Sequence, residues 1–125
     1  MTVGELYLVA AVLAFAAIFV TGRRLRGIPK TRNGLILAAH KILSLAAVVL
    51  IAVMAYRVNA ASALAVEDWA ALVVAGVLLA GTMASGGLLS AGSTAPNPIR
   101  VLHRVTSIVT IGAVALVFYF LLVRI

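Results

Sequence analysis

Cysteine is absent from this 125-residue chain. That excludes disulfides, thiolate metal ligands and iron–sulfur clusters, so redox chemistry would need a bound cofactor. Acid is scarce: Glu5, Glu67 and Asp68 are the only side-chain carboxylates. No nucleophile–base–acid set can be assembled, although Ser44 and Ser107 follow histidines at helical spacing. No glycine-rich phosphate loop follows a strand, so nucleotide chemistry is set aside. Charged residues make up 10% of the chain against 65% hydrophobic. A soluble domain is about 25% charged. The chain reads as an integral membrane protein whose first partner is the lipid bilayer.

Four apolar runs are each long enough to cross hydrocarbon, which takes about 20 residues. They predict helices over about 3–20, 35–58, 69–89 and 98–123. Thr21 to Asn33 reads as a basic loop broken by Gly22, Gly27 and Pro29. Asn59 to Val66 is a short polar connection, and Ser90 to Asn97 a tight turn. Asn97 is the expected cap of the fourth helix, with Pro98 at its first position. The predicted fold is all-α: residues 1–125 form a single four-transmembrane-helix bundle of up-down topology, with both termini outside.

The bases support that orientation. The net charge of +7 would suggest nucleic acid in a soluble protein. Here the bases hug helix ends, and no nucleic-acid partner is expected. The inner side receives Arg23, Arg24, Arg26, Lys30, Arg32, Lys41, Arg100 and Arg104; the outer side receives Arg57 and Arg124. Short loops rich in Lys and Arg stay in the cytoplasm. Tyr7, Tyr56, Trp69 and Tyr119 fall together at the outer interface, where amphipathic aromatics settle. The setting is a bacterial or archaeal cytoplasmic membrane.

Two histidines, His40 and His103, are the only ones present. Each is followed by a base and, four positions on, by serine: His40-Lys41…Ser44 and His103-Arg104…Ser107. This weak repeat suggests a duplicated helical hairpin. Both histidines lie about 8 to 9 Å along parallel helices from the inner end, at 1.5 Å per residue. An ionisable residue inside a span should face the bundle interior. Two at one depth can meet across a four-helix core, where bundles build cofactor sites.

Neutral imidazole is a good iron ligand, and two would fill both axial positions of one haem b. The candidate metal ligands are therefore His40 and His103. The second ring nitrogen of each needs an acceptor. The carbonyl one turn back, at Ile36 or Ile99, is the expected partner, with Ser44 and Ser107 on the same faces. Lys41, Arg100, Arg104 and Arg32 are placed to meet propionates. Gly86 and Gly87, in Ala84-Ser85-Gly86-Gly87, would let porphyrin approach the backbone. Simple small-residue helix packing explains those glycines equally well. Competing readings of the histidines are interhelical hydrogen bonding, zinc and proton transfer. Zinc is disfavoured because a tetrahedral site wants more ligands than this pair.

On these residues the chain resembles a minimal four-helix membrane b-type cytochrome, of the broad cytochrome b561-like kind. It is also similar to small bacterial four-span membrane proteins with His-Lys/Arg on their second and fourth helices. The b561 resemblance implies haem b and electron transfer. Many such proteins hold two haems on four histidines; this chain has histidines for one. The expected activity is electron exchange at the cytoplasmic side with a quinone, a small oxidant or a redox partner protein. Alternatives are a haem-binding sensor, carrier or assembly subunit without catalysis, or a small transporter or channel with structural histidines. The lack of a soluble domain makes a homo-oligomer or a larger complex plausible.

Overall fold

The computed structural model describes residues 2–26, 34–91 and 96–124. It is all-α: α1 (Val3–Leu25), α2 (Gly34–Ala61), α3 (Val66–Ala91) and α4 (Asn97–Val123). Among the described residues there is no strand. All four helices are long and apolar enough to cross a membrane. At 23 to 28 residues and 1.5 Å per residue, each is about 35–42 Å long, longer than the hydrocarbon layer. Their ends therefore reach the headgroup region. Large apolar side chains stand exposed along every helix, as lipid contact requires.

The helices outrun the apolar runs that predict them. Thr21 to Leu25, expected as loop, is the last turn and a half of α1. Arg23 and Arg24 lie in that turn, where cations complement the helix dipole and can extend to the headgroups. The start of α4 also differs. Pro96, not Asn97, is its N-cap, with no side-chain cap bond. The Pro96 carbonyl accepts from Ile99 and Arg100 N–H instead. Pro98 has no N–H to satisfy, so less capping is needed.

The chain divides into two compact units, Met1–Arg57 and Val58–Ile125. The first holds α1 and most of α2, tied at both ends. The Arg57 guanidinium lies over the Tyr7 ring, 5.4 Å from its centroid, and His40 bonds to α1 at the other end. The second holds α3 and α4, also tied at both ends. Arg124 Nε lies 2.6 Å from Asp68 Oδ2, and His103 bonds to α3 at the other end. Between these, the Thr82 and Thr110 hydroxyls bond at 3.0 Å. Each pair is an antiparallel hairpin.

The two hairpins are built alike. Ala11 of α1 and Ala75 of α3, a step of 64, are both buried. Ala47, Ile51, Met54 and Ala55 of α2 are buried; so are Thr110, Val114, Val117 and Phe118 of α4, each a step of 63 on. The helix starts match as well. Thr2 and Glu5 form a reciprocal capping box on α1, and Asp68, at the same turn of α3, accepts the Ala65 N–H. The repeat glimpsed in three residue types thus runs through the burial pattern of whole helices.

Candidate functional site

His40 is the seventh residue of α2 and His103 the seventh of α4. Each lies two turns in from the helix start and bonds to the preceding helix of its own hairpin. In the first hairpin, His40 Nδ1 lies 3.1 Å from the Ile18 carbonyl oxygen and 3.0 Å from Thr21 Oγ1. In the second, His103 Nδ1 lies 3.1 Å from the Thr82 carbonyl oxygen and 3.0 Å from Ser85 Oγ.

These distances decide the tautomer. A carbonyl oxygen only accepts, so Nδ1 must carry the proton. The hydroxyls are committed as donors to their own helix. Thr21 Oγ1 donates to the Ala17 carbonyl at 2.7 Å, with Ile18 at 3.0 Å. Ser85 Oγ donates to the Thr82 carbonyl at 3.0 Å. Each hydroxyl oxygen is therefore a second acceptor for the Nδ1 proton. In the neutral ring the lone pair then resides on Nε2.

A glycine completes each cradle. A Cβ at Gly22 would stand 3.0 Å from His40 Cε1, and one at Gly86 only 2.9 Å from His103 Cε1. At Gly86 that is closer than real Cβ atoms come, and at Gly22 the ring would have to give by a few tenths of an ångström, so each imidazole occupies room that glycine leaves. The set on the earlier helix is a carbonyl, a hydroxyl three residues on and the glycine after it: 18, 21 and 22 in α1; 82, 85 and 86 in α3.

Several sequence expectations change in detail. The acceptor is not the carbonyl at Ile36 or Ile99 on the histidine's own helix. Those oxygens lie along the helix axis, whereas the imidazoles reach sideways to the neighbour. Ser44 and Ser107 do not bond to the rings either: Ser44 Oγ donates to the His40 carbonyl at 2.7 Å, and Ser107 Oγ to the His103 carbonyl. The room beside Gly86 is taken by the His103 ring, while nothing lies within 4 Å of a Cβ built on Gly87. Lys41, Arg100 and Arg104 are exposed near the starts of α2 and α4. Arg32 lies outside the described residues, as does Lys30.

Sequence reasoning missed Ile18, Thr21, Gly22, Thr82 and Ser85. The legible signal was a Thr-Gly and a Ser-Gly pair, each late in the helix before a histidine. Among the described residues no three of His, Cys, Asp and Glu gather. The other polar cluster lies at the far end of the second hairpin, where Asp68 and Arg124 line a shallow cavity with Tyr119 and Phe120. Its charges are paired with each other, and Asp68 is buried. No buried side-chain nitrogen or oxygen among the described residues lacks a hydrogen-bond partner. No family model, curated protein or solved structure matches the chain.

Proposed function

We propose that this chain is a membrane haem b protein, with His40 and His103 as the axial ligands of one haem. It exchanges electrons at the cytoplasmic side of a bacterial or archaeal membrane with a quinone, a small oxidant or a partner protein. One observation carries this reading. In both hairpins the Nδ1 proton is held by a main-chain carbonyl, which assigns the donor lone pair to Nε2. That second-sphere arrangement is the one metal-bound histidines typically have. The matched cradles place both rings at the same point of their helices.

A haem held by His40 and His103 would supply a one-electron couple, and with both imidazoles committed to it outer-sphere transfer would be favoured over oxygen binding. The chain's residues have separate tasks. The Ile18 and Thr82 carbonyls fix the tautomer. Lys41, Arg100 and Arg104 offer cations near the same helix ends for propionates. Gly87 keeps space open beside Gly86. Ser44 and Ser107 anchor the backbone carbonyls of the two histidines.

The deciding experiment is absorbance of the detergent-purified protein before and after dithionite. Split low-spin visible bands are expected on reduction, and His40→Ala or His103→Ala should abolish or alter them. A colourless wild-type protein, unmoved by added haem, removes the proposal. The same bonds support a second reading, in which the histidines are interhelical ties and nothing more. On that reading no bands form and both substitutions act on stability alone.

A further inference from the structure

We infer that Thr21 and Ser85 are positioning residues that set the orientation and donor strength of the two imidazoles, as a matched pair; this rests on the haem reading. The argument begins with what each hydroxyl does not need. A helical Thr or Ser satisfies its proton on a carbonyl three or four residues back. Thr21 and Ser85 both do so. Their bonds to the histidines are therefore additional acceptances by an already polarised oxygen.

Each Nδ1 proton is thus shared between two acceptors about 3 Å away, a carbonyl and a hydroxyl. Two acceptors draw the proton more strongly than one. Charge moves onto the ring, and Nε2 becomes a stronger donor to a metal. A stronger donor stabilises the ferric over the ferrous state, so each hydroxyl lowers the midpoint potential. The arrangement also fixes the ring plane. Turning the ring over would present carbon to both acceptors, and Gly22 or Gly86 holds the Cε1 edge at close range. The two cradles are chemically alike, so neither ligand should dominate.

The test uses the full-length protein with Thr21→Val, Ser85→Ala and the double variant. Val keeps the shape of Thr and removes only the hydroxyl. Midpoint potential and the low-spin electron-paramagnetic resonance signal are measured on each. Both single variants should raise the potential and broaden the signal, and the double variant should add the two shifts. Thr21→Ser and Ser85→Thr should restore wild-type values, which a role in packing alone would not produce. An independent readout is the ring-nitrogen spectrum of labelled histidine in haem-free protein. It should report the Nδ1–H tautomer throughout, because the carbonyls remain, with the Nδ1 signal shifted in the variants by the loss of the second acceptor. Wild type with haem, but with potentials and ring-nitrogen shifts unmoved by the substitutions, overturns this inference alone. Wild type that takes no haem overturns the haem reading with it.

Discussion

At the residue scale, adjacent glycines have opposite predicted sensitivities. Gly86 faces His103, and a methyl there would come within 2.9 Å of Cε1. The ring cannot simply swing aside, because its Nδ1 is held by Thr82 and Ser85. Gly86→Ala should therefore cost about 1–3 kcal/mol, as overpacking does. Gly87→Ala meets nothing within 4 Å and trades glycine for a better helix former, a gain of up to about 1 kcal/mol. Thermal unfolding in detergent should put Gly86→Ala below wild type and Gly87→Ala level with it or above. Gly22→Ala should follow Gly86→Ala, since its contact with His40 is nearly the same. A Gly86→Ala protein as stable as wild type would mean that His103 does not occupy the notch.

Helices and hairpins are where reading from residues succeeded and then stopped. Four apolar runs were enough to locate four spans. The ends were harder, because Gly22 and the arginines after it look like punctuation. In the structure they form the last turn of α1, carrying Thr21 to His40. The acceptors at Ile18 and Thr82 had no signature at all, since every residue has a carbonyl. The repeat was masked by a shift of register. The earlier helix of each hairpin recurs after 64 residues and the later one after 63, so no single offset aligns both. The hairpins also differ at their far ends, and that difference is testable. Arg124 pairs with Asp68, whose side chain is 2% exposed, while Arg124 itself is 31% exposed. Arg124→Ala strands a buried carboxylate and should cost about 3–5 kcal/mol. Asp68→Ala leaves an arginine that can turn to water, together with one lost N–H acceptor, for about 1–2 kcal/mol. Removing Arg57, stacked on Tyr7, should cost only about 0.5–1 kcal/mol. Denaturant unfolding of the three variants checks the order. Arg124→Ala proving milder than Asp68→Ala would contradict it.

For the whole molecule, the open physical question is which way round the membrane holds it. The positive-inside rule counts bases in short loops near the helix ends, and the topology read from the sequence assigns eight of the ten Lys and Arg to the cytoplasmic side. It assigns the acids to the other side, and Asp68 is drawn into a buried pair with Arg124. Reversing the orientation would move those eight bases across the bilayer, and even buffered by snorkelling a base at the bilayer centre costs about 2.5–3.5 kcal/mol. Since the chain has no cysteine, a single engineered thiol is an unambiguous reporter. Ala63 and Ala91 are exposed just beyond opposite ends of α3 or in its last turn. Ala63→Cys should react with a membrane-impermeant maleimide in intact cells, and Ala91→Cys only after the membrane is opened. Labelling of Ala91→Cys in intact cells would invert the topology. It would also move the His103 cradle to the outer side, since Ser85 and His103 lie toward the Ala91 end of their hairpin. On the haem proposal, the electron partner would then have to be sought outside the cell.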